Sequence, residues 1–107
     1  MALYLKNNKK IETIFEKGFT IEADGLLFKG YDFKDDEIKY GVSVSQKLFP
    51  LAVDRNLIQR RVKEQENSVN LAEFIAKGVS FFLIYTSKQI LNSNEIKRRI
   101  ESLSQKL

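Results

Sequence analysis

The chain has 107 residues, a formal net charge of +4, and neither cysteine nor histidine. That length suits a single domain, residues 1–107, which can bury one core without covalent staples. The missing residue types exclude disulfides, thiolate nucleophiles, the common zinc-ligand sets and histidine acid–base chemistry, leaving carboxylates as ligands for a hard cation.

Met1 to Asn8 lacks a secretory signal pattern, and no apolar run approaches the roughly 20 residues of a membrane span, so a cytoplasmic protein is expected. A first helix is predicted from about Asn8 to Lys17, with Ile11, Ile14 and Phe15 on one face. Lys6, Lys9, Lys10 and Lys17 are assigned to its wet side, and Gly18 stands where a left-handed cap is cheapest. Strands are expected at about Phe19 to Ala23, Gly25 to Phe33 and Ile38 to Ser45. The polar run Lys34 to Glu37 reads as a hairpin loop between the last two, making an antiparallel ribbon. Acidic residues crowd this segment, at Glu22, Asp24, Asp32, Asp35, Asp36 and Glu37, so the molecule is expected to be electrically two-sided.

The alternation of Val42 and Val44 with Ser43 and Ser45 leads through Leu48-Phe49-Pro50 into a basic helix, Leu51 to about Glu66, with fraying at Asn67-Ser68. At about 100° per residue, Leu51, Ile58, Val62 and Val69 form its apolar stripe. Asn56, Arg60 and Lys63 stand opposite, with Arg55 and Gln59 on one flank and Arg61 on the other, an array suited to phosphate oxygens. Leu71, Phe74 and Ile75 suggest one more helical turn before Gly78. Val79 to Thr86 then reads as a central strand buried on both faces, with Phe74, Phe81 and Phe82 in the core. Ile96, Ile100, Leu103 and Leu107 repeat behind the capping pair Asn92 and Glu95, the clearest helix signal in the chain. The order αβββαβα implies an α+β sandwich, a mixed sheet with stacked helices.

Strand, short turn, then Ala52-Val53-x-Arg55-Asn56 followed by Arg60 and Arg61 resembles the signature of the bacterial ribonuclease P protein component. The resemblance extends upstream to Lys9–Phe19 and downstream through Val79–Ser87 and the last helix. It implies a left-handed βαβ crossover through the basic helix, against a general preference of about 98% for the right-handed form. It further implies that Arg55, Asn56, Arg60, Arg61, Lys63 and Lys47 bind the catalytic P RNA. Phe15, Ser43, Ser45 and Phe28 are implied to border the cleft for the 5′ leader of precursor tRNA, where a flat ring stacks an unpaired base. Tyr31 and Tyr40 lie on strands that could floor that cleft, depending on register. Three departures remove basic character: Leu57 replaces a usual Arg, Gln59 a usual Lys, and Phe49-Pro50-Leu51 occupies a turn that is often basic. Ile11 also stands where many members carry a second aromatic.

Protein-borne catalysis has little to draw on. Ser43 and Ser45 have no histidine to activate them, and Gly25 and Gly30 do not open a phosphate-cradling loop. The acids Asp35, Asp36 and Glu37 read as solvated charge more readily than as a metal site. In agreement with that, the resemblance implies a non-catalytic subunit of an endoribonuclease, monomeric without RNA, whose RNA partner performs hydrolysis with Mg²⁺. The alternative readings are a general RNA-binding or ribosome-associated α+β domain with no role in cleavage, and a structural protein whose basic face meets an acidic partner.

Overall fold

The computed structural model describes residues 3–4 and 8–107, apart from the side chains of residues 3, 4 and 72. Its elements are β1 (Leu3–Tyr4), α1 (Asn8–Lys17), β2 (Phe19–Ala23), β3 (Leu26–Asp32), β4 (Lys39–Val44), α2 (Ala52–Val69), a 3₁₀ turn (Leu71–Phe74), β5 (Val79–Tyr85) and α3 (Ser93–Lys106). Strand β1 is not among the elements predicted from sequence, so the observed order begins with β before αβββαβα. Among the described residues no helix is long and apolar enough to cross a membrane.

The strands form one mixed sheet in the order β1-β4-β5-β3-β2, parallel across β1, β4 and β5 and antiparallel across β5, β3 and β2. Its architecture is the expected α+β sandwich, but the expected ribbon is corrected: β3 and β4 are not partners, because β5 lies between them. The physical reason is the composition of β5, whose run Val-Ser-Phe-Phe-Leu-Ile-Tyr is buried at all but one position and so takes the centre, with both edges paired. Lys34–Glu37 accordingly bridges over the start of β5, where Phe33 N–H donates to Gly78 O at 2.8 Å and Gly78 N–H donates to Glu37 O at 3.1 Å.

Alternation divides the sheet into two faces. Leu26 and Phe28 of β3, Tyr40 and Val42 of β4, and Phe81, Leu83 and Tyr85 of β5 join the main core with Ile58 and Val62 of α2 and Ile96, Ile100 and Leu103 of α3. The other face carries α1 and a smaller cluster, Ile14 with Phe82, flanked by Ile11, Tyr31, Phe33 and Ile84. Helix α3 begins as its spacing predicts, with a reciprocal capping box between Asn92 and Glu95.

Several local expectations need correction. Gly18 is not a left-handed cap; among the described residues the glycines with positive φ are Gly25 and Gly78. Its need is steric, since a Cβ there would lie 2.3 Å from Ile14 O and 2.7 Å from Gly30 O. Helix α2 continues past Glu66 to Val69, where Asn70, at φ 58°, closes it by donating its N–H to Glu66 O. Leu51 is not on the stripe: it is the extended N-cap residue and is 65% exposed. Glu66 fills the buried stripe instead, at 2% exposure. Phe74 was expected in the core but is half exposed, because Leu71 takes the buried place in the short 3₁₀ turn.

Candidate nucleic-acid interface

The basic helix presents a smaller outward array than its charge suggests. Asn56 and Arg60 are exposed and Lys63 half-buried, and these three lie on the side turned from Ile58 and Val62. Among the described residues Arg60 has only a 4.0 Å i,i+4 approach to Glu64, with both side chains largely exposed. Arg55 and Arg61 do other work. One Arg55 nitrogen donates to Phe49 O and Pro50 O, each at 2.8 Å, holding the turn that enters α2. Arg61 donates to Leu91 O at 2.8 Å, tying α2 to the segment before α3. A guanidinium has five donors, so neither residue is thereby barred from a phosphate, but both are held by the fold. Lys47 is exposed in the turn after β4.

On the α1 side of the sheet, Phe15 is 40% exposed and its ring centroid lies 5.3 Å from that of Phe82. Lys29 Nζ stands 5.8 Å from the Phe15 centroid. Phe82, assigned to the core from sequence, is buried, but within this second cluster; it lies across Gly41, where a Cβ would be 2.4 Å from its ring. Gly41 and Phe82 thus make a smooth floor beside Phe15. Ser43 pairs in register with Ile84 on the same face, half-buried. Ser45 stands just past β4, and its hydroxyl accepts from Leu48 N–H at 3.3 Å, shaping the turn toward Lys47. Phe28 is corrected: it is fully buried on the opposite face, 4.7 Å from Phe81, and no leader can reach its ring. Tyr40 is on that core face as well, while Tyr31 faces the α1 side. Gly41 and Lys29 beside Phe15 were not singled out from sequence, because strand alternation groups residues by face without saying which face is open.

Three residues of the acidic segment are in ion pairs. Asp35 meets Lys10 at 2.6 Å, Glu37 meets Lys39 at 3.1 Å, and Asp24 meets Arg99 at 3.6 Å. The hydrogen bond from Lys10, then that from the Glu37 backbone, holds the Asp35 carboxyl below its ordinary range. Glu66 shows the opposite effect: burial pushes its carboxyl up, against hydrogen bonds from the Leu71 backbone and the Tyr40 side chain, and its Oε1 has no partner among the described residues. Among the described residues, no group of three or more acidic side chains is gathered to hold a metal. Met1, Ala2, Leu5, Lys6 and Asn7 lie outside the described residues, and so therefore does the assignment of Lys6 to the basic face.

The sequence model of the Ribonuclease P family matches residues 2–107. The fold is similar to that of the Staphylococcus aureus RNase P protein, with a TM-score of 0.78 at 22% identity over 98% of this chain and 94% of that one. It is likewise similar to the Thermotoga maritima RNase P protein, with a TM-score of 0.80 at 18% identity over 97% of this chain and 96% of that one. No curated protein matches the sequence.

Proposed function

The chain belongs to the ribonuclease P protein family, and from that premise we propose that it binds the catalytic P RNA through α2 and the 5′ leader of precursor tRNA through the cleft beside α1. The observation that carries this reading is a pairing of two surfaces. An exposed Asn56 and Arg60 on α2 suit phosphate and sugar contacts. On the α1 side of the sheet, an exposed aromatic ring beside Lys29 suits a stacked, unpaired nucleotide.

Chemistry in this reading belongs to the RNA subunit. With no histidine or cysteine, the protein has no thiolate and no imidazole to supply as nucleophile or base. Mg²⁺ bound by P RNA would activate water and stabilise the phosphodiester transition state, while the protein supplies positive charge and a leader-shaped surface. It would act in the cytoplasm, where precursor tRNA is matured, as a monomer before assembly. Lys47, Arg55, Arg61 and Lys63 complete the P RNA face, and Phe15, Ser43 and Ser45 the leader cleft.

Kinetics of the reconstituted holoenzyme with two substrates test the division of labour. Precursor tRNA with a leader of several nucleotides should lose affinity on Phe15→Ala, whereas a substrate with a one-nucleotide leader should not. Equal effects on both would remove Phe15 from the leader path.

A further inference from the structure

Helix α2 has a second apolar feature, on the wrong side for the core. Val53, Asn56, Leu57 and Arg60 line a shallow depression. Their spacing of i, i+3, i+4 and i+7 places them on one face, about 170° around the helix from Ile58, Val62 and Glu66. Val53 is 77% exposed, the most exposed of the large apolar residues among those described, and Leu51 and Leu48, shortly before it in sequence, are 65% and 39% exposed. Apolar side chains gathered on a wet face, around an amide with no hydrogen bond among the described residues, mark a place where something binds.

We infer that this depression seats an unpaired nucleobase of the RNA partner, adenine by preference, with one face of the base on Val53 and Leu57. This rests on the reading of α2 as the P RNA face. Val53 and Leu57 are one turn apart, roughly 5 to 6 Å between their Cβ atoms, a ridge about as long as a base is wide. Asn56 between them offers one donor and one acceptor, the pattern that matches adenine N7 and N6. Arg60, one turn beyond Asn56, is placed for the adjoining phosphate. A second copy of this chain fits less well: even with Leu48 and Leu51 the patch has six residues, against about 20 to 30 a side in a stable interface. The apolar Leu57 is on this account a base contact in its own right and not merely a missing charge.

The test titrates a bacterial-type P RNA with the wild type, Val53→Ser, Leu57→Ser and Arg60→Ala, at several salt concentrations, with diethyl pyrocarbonate probing of adenine N7. Val53→Ser and Leu57→Ser should each weaken binding about 5- to 30-fold with the salt slope unchanged, because the charge stays the same. One unpaired adenine protected by the wild type should regain reactivity with both. Arg60→Ala should instead flatten the slope by nearly one unit. Val53 is 77% exposed and outside the core, so its variant folds and the comparison can be read. If both serine variants bind and protect like the wild type while Arg60→Ala weakens binding, the base seat is wrong and the RNA-facing helix stands. If the wild type shows no preference for P RNA over unrelated RNA, the underlying functional reading fails. If sedimentation shows a dimer that Leu57→Ser dissolves with RNA affinity intact, the patch joins two copies and the inference is overturned.

Discussion

Arg60 and Arg61 are neighbours in sequence, but Arg61 also holds the fold, and exchanging each for alanine should show which of the two the fold depends on. Arg61 gives a charged hydrogen bond to Leu91 O at 2.8 Å from a half-buried position. Bonds of that kind contribute about 1.5 to 3 kcal/mol, and partial exposure brings the expectation here to about 1 to 2. In a domain of this size Arg61→Ala should lower the melting temperature by about 4 to 15 °C. Arg60 has nothing comparable to lose: its approach to Glu64 at 4.0 Å joins side chains that are 68% and 60% exposed. Surface i,i+4 pairs contribute about 0.3 to 0.5 kcal/mol, so Arg60→Ala should melt with the wild type to within a few degrees. The same variant should weaken P RNA binding by about 1 to 3 kcal/mol, as expected when an outward guanidinium that grips a phosphate is removed. Thermal melts followed by circular dichroism, alongside RNA titrations, read both effects. An Arg61→Ala protein with unchanged melting temperature and an Arg60→Ala protein with lowered stability and full RNA affinity would refute the assignment.

Three further outcomes are expected. Glu66→Gln should gain stability relative to the wild type as pH rises from 4 to 7, since burial disfavours the charged carboxylate and the amide cannot ionise. The sign follows from the raised carboxyl: Glu66 favours the folded state most below its ordinary value of 4.5 and loses that contribution as pH rises through the higher folded value. Urea unfolding at pH 4 and pH 7 checks this, and a variant difference that does not change with pH would remove Glu66 as the cause. Leu57→Arg with Gln59→Lys should steepen the salt dependence of P RNA binding by up to about two units, which a salt series measures; a folded variant with the wild-type slope would show that these positions do not face RNA. Gly41→Ala should destabilise the sheet and tilt Phe82, because its new Cβ would meet that ring at 2.4 Å; an unshifted melt would show the ring free to move aside.

What could be read in advance depended on whether the signal was local. Helix α3 announces itself twice, through the periodic Ile96, Ile100 and Leu103 and through the Asn92–Glu95 cap, and both are properties of contiguous residues. The apolar run of β5 likewise carries its own central placement. Strand pairing is not local: nothing in Lys34–Glu37 distinguishes a hairpin turn from a crossing over β5, because the same polar residues serve both. Face identity fails for a related reason. Alternation puts Phe28 with Tyr40 or with Phe82 only after register is known, and a slip of one residue exchanges core for cleft. At the candidate site, the outward Asn56 and Arg60 follow from helical geometry. The engagement of Arg55 with Phe49 O and of Arg61 with Leu91 O depends on where the turns bring those carbonyls, which periodicity does not encode.

In the proposed function this protein assists an RNA catalyst and does not itself catalyse, and reconstitution tests that division most directly. Purified RNA-free protein, a bacterial-type P RNA alone and the two together are incubated with precursor tRNA at a Mg²⁺ concentration where the RNA alone is slow. The expected result is no cleavage by the protein, slow cleavage by the RNA, and a clear acceleration at the mature 5′ end by the pair. Cleavage at that position by the RNA-free protein, or a pair no faster than the RNA alone, would contradict it.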